Sequence, residues 1–509
     1  MKAPAAAHLI LAGLAAPALA VPSVRIAQGA LAGASTNGVA AFRAIPYAAP
    51  PVGALRWKAP VAPKPWRGVR AATAFGPVCP QPPVDWAGHD LDRTSEDCLT
   101  LSVWTPKLAP SARLPVMVWF HGGGYTTGAG SQSTYEGTKL ARRGVVIVTV
   151  NYRLGALGFL AHPALTAESP LHSSGNYGLL DQVAALKWVR ANIAHFGGNP
   201  NNVTIFGQSA GGGSAMLLTV SPLARGLFHK AMFESGSALS LPSTRGGEGP
   251  RLPEAEQAGL ALATGMHAGS LAALRALPAS AFIGRGVPGI SRAPVVDGKV
   301  IPSDIATAYR AQRDARVPVL LGWNSNEAAS FFGNVTRSKY LALLEPFGPL
   351  APDLLRIYPA KNDAEAAQSA IDMAGDTEFG WRGWSLAQAR LAPGSPPLFL
   401  YQFDNPPPGP GGTRTKGAVH SDELRYVWGN DDPKGKWPAQ DKVLEATIQS
   451  YWVNFARTGD PNGPGLVRWP PYRSGHAALW FSDGAARAGS VWRDDKLRAM
   501  DQALRAPAR

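Results

Sequence analysis

At 509 residues, 45% hydrophobic and 17% charged, the chain has the balance of a soluble globular protein with a large core, which excludes a disordered or fibrous one. The formal charge of +14 could suit a nucleic-acid or membrane-surface partner, but Arg and Lys are scattered, with only short clusters such as Arg414 to Lys416 and Lys434 to Lys436. No basic helix, zinc knuckle or aromatic-studded RNA-binding strand accompanies them, so the charge reads as a solvated basic surface and no nucleic-acid partner is expected.

The chain opens with Lys2, an apolar run from Leu9 to Ala16, then Pro17 and a small-residue A-x-A site ending at Ala20. This is the pattern of a cleaved signal peptide over residues 1–20, and Pro17 closes the run well short of the roughly 20 apolar residues a spanning helix needs. No later stretch is long and apolar enough to span a bilayer, so the expected mature protein, residues 21–509, has no membrane anchor and resides in the periplasm or the medium. Export brings the two cysteines, Cys79 and Cys98, into an oxidising compartment where they are expected to pair. Such a bridge closes a loop of about 20 residues, worth roughly 3 kcal/mol in the chain-entropy model. Two cysteines are too few for a structural zinc site and no H-E-x-x-H pair occurs, so neither metal nor cofactor is expected.

With no internal repeat and no long linker, residues 21–509 read as a single domain with insertions. Leu114 to Phe120 and Val145 to Val150 are short β-branched runs of the kind buried on both faces of a parallel sheet. Asp181 to Ala194 has helical apolar spacing, Val203 to Phe206 is again strand, Ala210 begins a helix of small residues, and Ala231 to Phe233 is the next strand. Val317 to Gly322 and Leu398 to Phe403 are two more strands, separated by a helix-rich stretch from Tyr340 to Leu391. Strand alternating with helix predicts an α/β doubly wound, mostly parallel sheet, whose ligands bind beyond the carboxyl ends of the strands. The segment Pro406 to Gly412, rich in proline and glycine, is expected to be a mobile surface loop.

The loops after these strands carry the chemistry. Gly207 to Gly211 form G-x-S-x-G between a predicted strand and a predicted helix, a context in which the chain turns so sharply that Ser209 is thrust outward as a nucleophile. His121, Gly122, Gly123, Gly124 and Tyr125 follow the strand Leu114 to Phe120, where a glycine-rich loop offers backbone amides to an oxyanion. The expected donors are the amides of Gly123, Gly124 and Ala210, with His121 a structural residue of the loop. A serine needs a base, and in a chain order of serine, acid, histidine, His420 follows the last strong predicted strand whereas His229 precedes one. Glu327, five residues after the predicted strand Val317 to Gly322, is the candidate acid. Trp86, Tyr125, Phe331 and Phe332 are candidates for the substrate pocket.

FRAIPYAAPP (Phe42 to Pro51), SEDCLTLSV (Ser95 to Val103), HGGGY, Asn151 to Arg153, GNYGLLDQ (Gly175 to Gln182), GQSAGG, GAVHSDEL (Gly417 to Leu424) and NFARTGDPN (Asn454 to Asn462) together resemble the blocks of the type-B carboxylesterase and cholinesterase-like family, in order along nearly the whole mature chain. The resemblance implies an α/β-hydrolase fold and cofactor-free hydrolysis of a small-molecule ester by Ser209, His420 and Glu327. It also matches Cys79 and Cys98 to the family's first disulfide and Ser237 to a serine that supports the acid. Two departures argue against a cholinesterase. Gln208 stands before the nucleophile where several relatives carry Glu, and Trp86 lies two residues further from Cys98 than their choline-binding Trp. An amidase or acyltransferase on the same residues, and a non-catalytic adhesion domain, are the competing readings; the latter usually loses the nucleophile or the base.

Overall fold

The computed structural model describes residues 21–85, 89–236, 238, 250–284, 294–333, 335–430, 436–473 and 477–505. The expected signal peptide, Trp86 and Ser237 lie outside the described residues. In chain order the strands are β1 (Ser23–Ile26), β2 (Gly29–Ala32), β3 (Ala34–Thr36), β4 (Val39–Pro46), β5 (Val69–Ala71), β6 (Thr100–Thr105) and β7 (Leu114–Phe120). They continue with β8 (Val146–Val150), β9 (Gly198–Gln208), β10 (Lys230–Glu234), β11 (Val319–Asn324), β12 (Leu398–Asp404), β13 (Ala477–Ser482) and β14 (Ala485–Ser490). Strands β1, β2 and β5 form a small sheet, and the rest form one large sheet in the order β14-β13-β12-β11-β10-β9-β7-β8-β6-β4-β3. From β8 to β13 every neighbouring pair is parallel, while the strands at both ends run antiparallel. This is the expected α/β-hydrolase architecture.

The parallel strands are apolar without interruption because both faces are covered. Along β7, Val116, Val118 and Phe120 enter one core while Met117 and Trp119 enter the other, the period of two that a pleated strand imposes. The first core is roofed by the helices Tyr177–Asn192 and Ala210–Val220, and the second by the helix Ala439–Thr458. A strand covered on both sides has no polar face to show, which is why these runs are conspicuous in the sequence.

Most predicted elements stand within a few residues of their expected limits. The strand expected at Val317 to Gly322 starts and ends two residues later, at Val319–Asn324, because it pairs with β12 through Asn324↔Phe403. Pro406 to Gly412 is irregular as expected, yet it is tied down: Pro408 is buried, and Arg414 bonds both the Pro406 carbonyl and the Asp441 carboxylate, 2.5 Å away. Cys79 and Cys98 form a disulfide whose sulfurs lie in the main core. Among the described residues no helix is long and apolar enough to cross a membrane.

Behind the sheet end, Arg153 and Asp181 form a buried ion pair. Arg153 Nε and Nη2 donate to the two carboxylate oxygens at 2.8 and 2.7 Å, the Arg153 amide adds a third bond at 3.0 Å, and Asp181 has no exposed surface. Removing one partner leaves the other charge stranded, which typically costs about 3–5 kcal/mol. Asp181→Asn should therefore lower the unfolding free energy by an amount of that order in a denaturant titration; a loss below about 1 kcal/mol would show that the pair contributes little.

Candidate functional site

The strand order reverses at β7. The chain passes from β7 to β8 on one side and then returns to place β9 on the other, so the loops leaving the carboxyl ends of β7 and β9 diverge over a crevice. His121 to Tyr125 follow β7, and Ser209 follows β9. The two loops touch through glycine. A Cβ on Gly211 would stand 1.9 Å from the Phe120 carbonyl oxygen, and one on Gly122 would stand 2.8 Å from that of Gln208. The small residues of G-x-S-x-G thus allow one backbone to lie directly on the other.

Ser209 takes φ 57° and ψ −126°, a left-handed conformation costly for a residue with a side chain. It is held there by its amide, which donates to the Glu234 carbonyl at 2.9 Å, and by its carbonyl, which accepts the Gly213 amide at 2.8 Å. The hydroxyl sits at the amino end of the helix Ala210–Val220, where the helix dipole gives positive potential. Gly123 and Gly124 are also left-handed, at φ 105° and 60°, and a Cβ on Gly123 would overlap the Thr127 carbonyl at 2.2 Å. Among the described residues no protein acceptor takes the amide hydrogens of Gly123, Gly124 or Ala210.

His420 lies in the loop after β12, its side chain 11% exposed, and its Nδ1 is 2.6 Å from Glu327 Oε2. Glu327 Oε1 accepts two further bonds, from the Ser235 hydroxyl at 2.6 Å and the Asn324 amide at 2.7 Å. Burial alone would lower the imidazole pKa, but the charge and hydrogen bond of Glu327, with Glu423 and Asp422 behind it, reverse that and raise it above the ordinary histidine value. Asn324 links the acids: its Nδ2 donates to Glu423 Oε2 at 2.6 Å. Burial, reinforced by the charge of Glu327, pushes the Glu423 carboxyl up to about 8. His121 is of another kind, since burial pushes it down to about 4 against its bond to the Gly122 carbonyl, leaving a neutral ring fixed in the loop.

The structure joins Glu327 to His420, sets His420 against Gln208 beside Ser209, and packs the glycine loop at Gly122 against Ser209. No hydrogen bond joins the Ser209 hydroxyl to His420 among the described residues; His420 Nε2 instead lies 3.2 Å from the side-chain amide of Gln208. Phe331 is 61% exposed with its ring 5.4 Å from the imidazole, and Phe332 beside it is half-buried. Tyr125 turns inward against Phe159. Sequence reasoning missed four residues. Ser235, in the same ESGSA segment as Ser237, supplies the bond to Glu327; its left-handed φ of 46° was not legible from residue type. Asn324 and Glu423 stand in GWNSNE and GAVHSDEL, beside the acid and the imidazole they serve. Phe379, on a π-helical turn at Asp376–Gly380, lies 4.6 Å from the His420 ring, and nothing in its sequence context marks it.

A hydroxyl at a helix terminus, an imidazole fixed by a carboxylate, and unpaired amides are the groups that acyl transfer requires. The comparisons agree. The model of the carboxylesterase family matches residues 20–344 and 350–487. The fumonisin B1 esterase of Sphingopyxis macrogoltabida is 38% identical over 87% of this chain and 83% of its own. The para-nitrobenzyl esterase of Bacillus subtilis is 38% identical over 87% of this chain and 91% of its own. A solved structure of a PNB esterase superposes with a TM-score of 0.81 at 35% identity, covering 94% of this chain and 99% of that one. With the crevice and its groups in place, the match along both halves of the sequence settles the family: the chain belongs to the carboxylesterases, and its chemistry is carboxylic-ester hydrolysis.

Proposed function

We propose that the protein is an exported esterase that works through an acyl-enzyme on Ser209. The observation that carries this reading is the 2.6 Å bond between His420 and Glu327, set at the crevice of Ser209 and three amides that no acceptor among the described residues takes. His420 takes the hydroxyl proton at Nε2 as Ser209 attacks the ester carbonyl, and Glu327 holds the Nδ1–H tautomer and stabilises the imidazolium. The amides of Gly123, Gly124 and Ala210 receive the oxyanion, the alcohol leaves with the proton from His420, and water then repeats the sequence to free the acid. Export rests on the leader pattern of residues 1–20 and is supported by the disulfide. Residues 21–509 form one domain on this reading.

Ser209→Ala and His420→Ala should each lower kcat by at least about 10³-fold on a nitrophenyl ester; near-normal turnover in either variant would dismiss the triad.

Only the neutral imidazole can act as base, and the folded protein raises its pKa, so the proton is held to higher pH than in a free histidine. kcat/KM should accordingly be full above that pKa and fall as pH drops through a midpoint above about 6.5. A profile flat from pH 5 to 8 would argue against His420.

The substrate class follows from charge. A carboxylate about 7 Å from a quaternary ammonium contributes roughly 2 kcal/mol at an effective dielectric of 20, and Gln208 supplies none. Loss of the leader would remove Lys2 and leave a charge of +13, which repels cationic and attracts anionic esters at low salt. Neutral or anionic esters should therefore exceed choline esters in kcat/KM. The measurement is butyrylcholine against butyl butyrate at low and physiological ionic strength, and a choline ester that wins at both refutes the preference.

A further inference from the structure

Gln208 ends β9 immediately before Ser209 and is 2% exposed, yet no step of the proposed reaction uses its side chain. Its Nε2 lies 3.2 Å from His420 Nε2. Because Nδ1 gives its hydrogen to Glu327, the neutral ring has a bare lone pair at Nε2, and an amide N–H can only donate to it. That lone pair is the one that must receive the Ser209 proton. An imidazole nitrogen has a single in-plane acceptor site, so Gln208 and the Ser209 hydroxyl compete for it, and in this structure Gln208 holds it. The neighbouring loop is shaped around this arrangement: a Cβ on Gly122 would lie 3.1 Å from Gln208 Oε1, so only glycine leaves the amide its present place without a shift.

We infer that Gln208 is a positioning residue that caps the base in the free enzyme, opposing proton uptake at Nε2 and keeping His420 disengaged until substrate entry passes its Nε2 from the amide to Ser209. The inference rests on His420 being the base. It also gives the departure from Glu at this position a meaning beyond ligand charge. Once Nε2 carries a proton, that N–H would face an N–H of Gln208, so the amide opposes the imidazolium; a glutamate there would accept the proton and favour it.

The test uses the full mature protein and two variants, Gln208→Met, which keeps length and loses the donor, and Gln208→Glu, which replaces the donor with an acceptor. His420 is titrated through the downfield proton resonance of its Nδ1–H. Ser209 reactivity is measured with diethyl 4-nitrophenyl phosphate: the serine oxygen bonds phosphorus, 4-nitrophenolate leaves with the phosphorus–oxygen bond pair, and His420 takes the serine proton. Gln208→Glu should raise the His420 pKa by at least about one unit, and Gln208→Met by about half a unit. At a pH above both pKa values, Gln208→Met should label at least about threefold faster, its lone pair being free. An unchanged or lowered pKa in Gln208→Glu, or slower labelling in a folded Gln208→Met, overturns the inference. If Gln208→Met does not fold, the titration of Gln208→Glu decides alone. Ser209→Ala and His420→Ala serve as references: normal release of nitrophenolate in these would defeat the triad itself, whereas its loss there with no effect at Gln208 defeats only the cap.

Discussion

The contact on which the site depends is between two backbones. β7 and β9 lie side by side although β8 separates them in the chain, and the loops leaving them must both turn at the same edge of the sheet. They fit because Gly211 lies against the Phe120 carbonyl and Gly122 against that of Gln208, at separations no Cβ would permit. From this one juxtaposition follow the placement of Ser209 beside the oxyanion loop and the strain in Ser209, whose amide must reach back to Glu234 on β10. The G-x-S-x-G pattern is then the sequence image of a packing distance, and its glycines are read more securely as a contact with β7 than as flexibility.

A second constraint is electrostatic. Glu327, Glu423 and Asp422 crowd around one imidazole, and all of them ionised would hold His420 protonated. Burial disfavours the charge on two of them. Glu423 is pushed up to about 8 and Asp422 to about 7, while Glu327 receives three donors at 2.6, 2.7 and 2.6 Å. Asn324 bridges the two glutamates, its backbone amide serving one and its side chain the other.

How far the sequence could be read depended on whether a residue's part was local. Strands β7, β8, β10 and β12 were legible because burial on both faces writes itself as an unbroken apolar run, and Ser209 was legible because the elbow needs small residues at fixed offsets. β13 and β14 were not; Ala485–Ser490 faces solvent along most of its length, so no apolar run marks it. Ser235 and Ser237 are the same residue type two positions apart. What brings Ser235 to Glu327 is a left-handed backbone at φ 46° that no composition records, while Ser237 lies outside the described residues. Phe379 lay beyond reach for a different reason. It stands in a stretch that reads as plain helix, and only the widened π turn at Asp376–Gly380 rotates its ring onto His420.

Several of the blocks that carry the family resemblance hold no reacting group, and the structure shows what joins them to the chemistry. Asn151 to Arg153 and Gly175 to Gln182 meet in the buried pair of Arg153 with Asp181. The residue before that arginine, Tyr152, stacks on His121 at 4.3 Å and 18°, and its hydroxyl donates to the His121 carbonyl at 2.6 Å. Asn151 takes the Gly130 amide at 2.8 Å, fixing the far end of the glycine loop. His121, neutral and closed onto the Gly122 carbonyl, leads directly into Gly123 and Gly124. A buried ion pair therefore anchors the segment that follows β8, against which the glycine loop leaving β7 packs through Tyr152 and His121. Amides preorganised in this way need no rearrangement as charge develops on the carbonyl oxygen, and that is the condition under which they stabilise it most. In the proposed reaction these sequence blocks serve as the mount of the glycine loop.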